Sequence, residues 1–111
     1  MEFEFINTQL YKSTKSYIKT VKRILKENKV ERALADQLRR ASLSILLNFS
    51  EGYGRYHKAE KRHMYVMARA SVNECVACLD VVFETGIPKE RLDHSELIAK
   101  MLSGLINKFK D

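Results

Sequence analysis

The sequence predicts an all-α protein: an antiparallel up-down-up-down bundle of four helices, formed by a single domain over residues 1–111. Three observations lead to this prediction. The chain contains only one Pro and four Gly, whereas β-rich folds need turn residues about every 8 to 12 positions. Apolar side chains recur at helical spacing in four segments. The breaks between these segments are short, which favours antiparallel neighbours.

The first predicted helix has about twenty residues. Asn7 is its expected N-cap, and the helix is expected to end near Asn28. Its apolar stripe consists of Leu10, Tyr11, Thr14, Tyr17, Ile18, Val21, Ile24 and Leu25. Phe3, Phe5 and Ile6 precede it, and they either pack against a partner or fray.

The second predicted helix runs from about Glu31 to Glu51. Gly52 is expected to end it in the left-handed conformation, with Gly54 reinforcing the turn. At about 100° per residue, one apolar stripe contains Leu34, Leu38, Ala41, Ile45 and Phe49. A polar row on another face contains Arg40, Ser44, Asn48, Glu51 and Arg55.

The third predicted helix extends from about Lys58 to Thr85, and its apolar residues cover roughly half of its circumference. Gly86 is expected to close it. Pro88 suits the first turn of a fourth helix. Asp93, with a Glu three residues later, forms a second capping box that could restart or bend this helix.

The segment from Gln37 to Arg55 reads QLRRASLSILLNFSEGYGR. It resembles the signature of a family of small bacterial four-helix-bundle proteins, which are encoded in intervening sequences of large-subunit ribosomal RNA genes and often carry ribosomal-protein names. The matching positions are Arg40, Ser44, Asn48, Glu51, Gly52, Gly54 and Arg55. The chain departs from the signature at Leu46 and Leu47, where relatives often have a small residue or Pro, and at Phe49-Ser50, where Ile-Ala is common.

The resemblance implies a fold and an assembly. Members of the family look like bundles that form homo-oligomeric rings, commonly pentamers. The chain is also similar to the accessory bundle proteins of diversity-generating retroelements, which are partners of reverse transcriptases.

The sequence itself also predicts a homo-oligomer. Apolar residues on flanks of helices 2 and 3 are not needed to fill a four-helix core, and large exposed patches usually mark interfaces. The alternative is a broader monomer core. The predicted interface residues are Arg40, Leu43, Ser44, Leu47, Asn48, Tyr65, Val72 and Val76.

The polar members of this interface would need hydrogen-bond partners once buried. The polar face of helix 3 could supply them through Arg62, Arg69, Asn73 and Asp80. A structural network that fixes the bundle register is favoured over a ligand site.

Positive charge is concentrated in one part of the chain. Residues 12–69 contain fifteen Lys or Arg and five acidic residues, a net charge of +10, whereas the whole chain has +6. Lysines at steps of three and four form a row on the first helix, opposite its core stripe: Lys12, Lys15, Lys19, Lys22 and Lys26. Such a row attracts phosphates. The alternative is that it only solvates the outer face of the helix.

A second basic cluster surrounds the turn into helix 3. Tyr53 and Tyr56 alternate there with cations, and aromatic rings beside cations can stack bases while the cations hold the backbone. The alternative is that the tyrosines cap the end of the bundle. The predicted nucleic-acid-binding residues are Lys15, Lys19, Lys22, Tyr53, Arg55, Tyr56, Lys58, Lys61 and Arg62.

The sequence predicts no enzyme, no cofactor and no metal site. Cys75 and Cys78 form a C-x-x-C pattern inside a long helix and not at a strand-to-helix junction, so we expect core packing. The three His are scattered without zinc-ligand spacing. No serine has a recognisable base and orienter arrangement, and no Gly-rich phosphate loop is present.

Two functions from different classes remain. The first is a basic homo-oligomeric bundle that binds structured RNA or RNA/DNA, or serves as accessory to an RNA-handling enzyme. The alternative is a protein-protein interaction scaffold with no direct nucleic-acid role. No apolar run or leader-like segment predicts membrane insertion or export, so the expected location is the cytoplasm.

Overall fold

The computed structural model describes residues 2–110 as an all-helical chain, and no β-strand occurs among them. Four long helices follow one another: α1 (Gln9–Glu27), α2 (Arg32–Gly54), α3 (Lys58–Val82) and α4 (Lys89–Lys108). A short 3₁₀ helix, Glu4–Asn7, precedes α1. Met1 and Asp111, which belong to the predicted domain, lie outside the described residues. The structure confirms the all-α class and the four-helix bundle.

The first helix has Thr8, and not Asn7, as its N-cap. Thr8 Oγ1 accepts a hydrogen bond from the Tyr11 backbone N–H at 3.2 Å and donates one to the Phe5 carbonyl at 2.6 Å. Because Asn7 is the last residue of the 3₁₀ helix, Thr8 is the residue with the extended backbone that an N-cap needs. The Phe5 ring also contacts the Tyr53 ring at a centroid distance of 6.2 Å, so Phe5 packs within its own chain.

The second helix does not end at Gly52, as predicted, but continues through Gly54. Gly52 is buried, and its helical backbone needs no left-handed conformation. A Cβ atom at this position would lie 2.9 Å from Met64 Cβ and 2.9 Å from Tyr65 Cε1. Gly52 is therefore required because α3 lies so close to α2 that no side chain fits between them.

The ends of the later helices also differ from the prediction. The third helix ends at Val82 and not near Thr85. The chain then turns at Gly86, the one described residue with a positive φ, 114°. The fourth helix has Pro88 as its N-cap and continues past Asp93 without a restart or a break.

The core contains residues from all four helices. Its most buried side chains include Tyr17, Val21, Leu38, Ile45, Phe49, Ala68, Cys75, Leu79, Ile98 and Leu102. A buried hydrogen bond of 2.8 Å joins the Tyr17 hydroxyl on α1 to Ser95 Oγ on α4. Polar side chains that tie two helices in this way fix their register, because leaving either hydroxyl unpaired in the core is costly.

The predicted exposed flank on α3 is wrong for Tyr65 and Val72. Both are only 2% exposed and belong to the core of a single chain, while Val76 is partly buried against that core. The physical reason is that α3 packs against α2 on one side and against α4 on the other. The core therefore covers a wider part of the α3 surface than a single apolar stripe. Tyr65 and Val72 are therefore not available to a second subunit.

The close approach at Gly52 gives a direct test. We expect Gly52→Ala to lower the free energy of unfolding by about 1 to 3 kcal/mol, because the new methyl group must displace Tyr65 or Met64. Gly104→Ala is the matched control, since a Cβ there meets nothing within 4 Å, and it should raise stability by about 0.5 to 1 kcal/mol. Urea unfolding followed by circular dichroism at 222 nm measures both. Equal effects of the two substitutions would contradict the tight contact.

Candidate nucleic-acid interface

The lysines of α1 form an exposed row. We call Lys12, Lys15, Lys19, Lys22 and Lys26 the α1 basic ridge. All five are exposed, and none forms an ion pair with a residue in the described range 2–110. At 1.5 Å per residue the ridge is about 21 Å long. Its positive charge is therefore free to meet an external polyanion.

The turn cluster differs, because its central cation is already paired. Arg55 forms an ion pair with Glu51 and a second one with Glu60, the latter at 3.5 Å. These carboxylates precede and follow the turn, so the guanidinium group ties the end of α2 to the start of α3. A phosphate at Arg55 would have to compete with both of them.

The two tyrosines of the turn have different surroundings. The Tyr53 ring lies 6.0 Å from the Phe49 ring and 6.2 Å from the Phe5 ring, so it covers the end of the bundle, as the alternative interpretation expected. Tyr56 is 92% exposed, and its ring lies 5.4 Å from the His57 ring. Tyr56 is thus the tyrosine of this turn that can stack on a base.

Three further cations follow the turn. Lys58 is exposed. Lys61 Nζ donates hydrogen bonds to the carbonyl oxygens of Tyr53 at 2.6 Å and Gly52 at 3.3 Å, and desolvation by burial lowers the pKa of Lys61. It therefore acts as a C-terminal cap of α2, where unpaired carbonyls attract cations. Arg62 is partly buried, and its Nε has no hydrogen-bond partner among the described residues.

Some residues of the predicted subunit interface are exposed, and others already form hydrogen bonds within the chain. Leu43 and Leu47 are 45% and 57% exposed, and Arg40 is exposed beside them. Ser44 Oγ accepts hydrogen bonds from Asn48 at 2.9 Å and from Ser71 on α3 at 3.1 Å. Ser44 and Asn48 of the polar row therefore find partners within one chain.

The polar residues of helix 3 that the sequence predicts as partners of the Ser44 row make other contacts. Arg69 donates to Asn73 Oδ1 at 2.7 Å within α3 and not to the Ser44 row. Ser71, which the helical pattern places on the apolar half of helix 3 and not among the expected polar partners, takes that place because it faces α2. Its position at helical spacing from Ala68 and Cys75 in the core stripe was the available signal.

The bundle also contains a cavity that the sequence did not reveal. It has a volume of about 570 Å³ and lies where the start of α1, the end of α2, the start of α3 and the end of α4 meet. Aromatic rings and two ammonium groups line it, from Phe49, Tyr53, Lys61, Tyr65, Lys108 and Phe109. Helical periodicity assigns a ring to a face of its helix but cannot show that rings from α2, α3 and the end of α4 converge.

Both cysteines are buried free thiols. Burial raises the pKa of the Cys75 thiol to about 12, with a smaller contribution from Cys78, and burial also raises the pKa of Cys78. Thiolate is the reactive form, so the native pair is chemically inert near neutral pH. No group of His, Cys, Asp or Glu within residues 2–110 is arranged to hold a metal ion.

The raised pKa of Cys75 predicts its reactivity. At pH 8 the thiolate fraction of Cys75 is about a thousandfold lower than at its ordinary pKa of 9.0. We expect a disulfide reagent such as DTNB to label the native chain far more slowly than free N-acetylcysteine, and to label both thiols at once in 8 M urea, a denaturing concentration. Cys75→Ala and Cys78→Ala separate the two thiols. Native labelling at the rate of the free thiol would contradict their burial.

None of the helices formed by residues 2–110 is both long and apolar enough to cross a lipid bilayer. The model of one protein family, described as 23S rRNA-intervening sequence protein, matches residues 7–108 of the chain. This match covers all four helices. The curated proteins contain no match to the sequence.

Proposed function

The chain belongs to the 23S rRNA-intervening sequence protein family, and from this premise we propose that it is a non-enzymatic, homo-oligomeric bundle that binds structured RNA or RNA/DNA hybrids in the cytoplasm. In this role it acts alone or as accessory to an RNA-handling enzyme. The contact is to the phosphate backbone, because the chain offers a row of cations and no recognised base-reading module.

The observation that carries this proposal is the α1 basic ridge. Its lysines are exposed and lack carboxylate partners in the described part of the chain, in contrast to Arg55. Counterions that such a row releases on binding phosphates supply sequence-independent affinity. Tyr56 and Lys58 extend the surface at the turn, where they are exposed. Lys61 and Tyr53 contribute to the structure of that turn and not to the ridge.

Two features support the assembly that we propose, an up-down-up-down bundle that forms a ring. Hydrogen bonds join Gln37 to Glu74 and Ser44 to Ser71. Residue numbers rise along α2 while those of their partners fall along α3, which is the pattern of antiparallel helices. Leu43 and Leu47 leave an apolar patch on the outer face of α2. A second copy of the chain would cover this patch, and the family resemblance favours five copies.

The same patch supports the second candidate function, a protein-interaction scaffold whose positive charge only confers solubility. The two candidates differ in what the lysines do. In a scaffold, removing the ridge lysines has the same effect on binding as removing any other exposed cations of equal charge. In a nucleic-acid-binding protein, its position matters.

The ridge is tested by the triple variant Lys15→Gln, Lys19→Gln, Lys22→Gln. We expect weaker binding to a structured RNA, and a plot of log K against log salt whose slope is shallower by about 2 to 3, because up to three phosphate contacts are lost. Fluorescence anisotropy over a salt series measures both.

The control is the triple variant Lys89→Gln, Lys100→Gln, Lys110→Gln, which makes the same change of net charge at exposed positions in and after α4. It should keep most of the affinity and the slope. Equal losses in the two variants would contradict a specific ridge and favour the scaffold.

The leucine patch is tested by Leu43→Ser, Leu47→Ser. We expect sedimentation equilibrium to shift from an oligomer to the monomer mass of 12.9 kDa, since apolar area is what drives association. Val81→Ser, Leu97→Ser removes two other exposed apolar side chains and should leave the oligomer intact. A wild-type chain that is already monomeric at micromolar concentration would end the proposal of a ring.

A further inference from the structure

The cavity at the end of the bundle has aromatic walls. The rings of Phe49 and Tyr65 stack at a centroid distance of 6.0 Å and an interplanar angle of 27°. Phe109 lies 5.9 Å from Tyr65, and Tyr53 lies 6.0 Å from Phe49. The volume of about 570 Å³ lies within the range of small-molecule sites, about 300 to 1,000 Å³. A flat aromatic ligand suits these walls.

One wall carries a hydroxyl group without a partner. Tyr65 is 2% exposed and lines the cavity, yet its hydroxyl makes no hydrogen bond with a described residue. Burial raises the pKa of Tyr65, with a smaller contribution from Tyr53, so the hydroxyl stays protonated and can donate. The hydroxyl oxygen is not enclosed, because Arg62 Nε is the buried polar side-chain atom without a partner among residues 2–110. The Tyr65 hydroxyl therefore faces the open cavity, where it can donate a hydrogen bond to a bound molecule.

Two ammonium groups lie beside the same ring of the cavity. Lys61 Nζ is 5.9 Å and Lys108 Nζ 5.6 Å from the centroid of the Phe109 ring. Lys61 uses two of its three N–H groups on the carbonyls of α2, so one remains. Lys108 is exposed and has no ion-pair partner among residues 2–110. Together they favour a ligand with an anionic group.

We infer that this cavity binds an unpaired nucleotide, with the base against the wall that the aromatic rings form, an acceptor of the base at the Tyr65 hydroxyl, and the phosphate at Lys61 and Lys108. A fatty acid meets the charge and the apolar walls, and its carboxylate can also accept from the Tyr65 hydroxyl, but it has no flat ring to stack on the aromatic side chains. A nucleotide meets all three features. The ligand is either a nucleotide of single-stranded RNA or a free nucleotide. The inference rests on the proposed function in this one respect, because that function makes RNA a source of the nucleotide.

The test measures binding of AMP, adenosine and inorganic phosphate to the full chain by isothermal titration calorimetry. Tyr65→Phe keeps the ring and removes the hydroxyl, so it should weaken AMP binding by about threefold to tenfold. Tyr11→Phe is the matched control, the same chemical change at a tyrosine that does not line the cavity, and should have no effect. Lys108→Gln should weaken AMP binding but leave adenosine binding unchanged.

A second variant fills the space. Leu105, which also lines the cavity, is replaced by Trp, and we expect AMP binding to be lost while circular dichroism shows an unchanged helix content. A single-stranded pentanucleotide distinguishes the sources. If Tyr65→Phe weakens its binding as much as that of AMP, the nucleotide comes from RNA. If only AMP binds, the ligand is a free nucleotide.

The inference is overturned if AMP does not bind, if Tyr65→Phe and Lys108→Gln bind it like the wild type, or if dodecanoate binds more tightly than AMP and displaces it. The ridge variant of α1 separates this result from the proposed function. Unchanged AMP binding in that variant supports an independent cavity. Binding of duplex RNA by a wild-type chain that does not bind AMP overturns the cavity site alone, and AMP binding without duplex binding overturns the ridge alone.

Discussion

The contact of α2 with α3 at Gly52 is the constraint on which the bundle end depends. Because Gly52 has no side chain, the Tyr65 ring lies against the backbone of α2 and stacks on Phe49. The same approach lets Lys61 reach the last carbonyls of α2. The cavity, the helix cap and the burial of Tyr65 therefore have one origin. A side chain at this position would separate the helices and alter all three together.

The cations on the basic surface of the molecule are of two kinds. Some are held in contacts that stabilise the fold, and others are free to bind an external anion. Arg55 and Lys61 have the same sign as the α1 basic ridge, but one is held by two carboxylates and the other by two carbonyl oxygens. These contacts stabilise the turn between α2 and α3. The ridge has no such contacts within the described residues, so its lysines keep their full attraction for an external anion. Net charge alone does not reveal this division.

Much of the fold follows from the sequence, and the failures have physical causes. Helical periodicity predicts four helices and most of the core, because burial of one face decides where a helix lies. The roles of Gly52 and Tyr65 depend instead on how closely two helices approach, which no local pattern encodes. In the candidate site, the exposure of Lys15, Lys19 and Lys22 was predictable from their spacing. The partners of Arg55 and Lys61 and the convergence of aromatic rings were not, since they require the tertiary contacts.

The short connection between α2 and α3 has a consequence for how the chain folds. Only three residues, 55–57, join the two longest helices, and Arg55 bridges them at the turn. Contacts across such a hairpin close small loops and cost little chain entropy, so they form early. We expect this hairpin to be the nucleus on which α1 and α4 dock later. Slow steps in refolding would then reflect the arrival of the outer helices and any assembly of subunits, because the central pair is already in place.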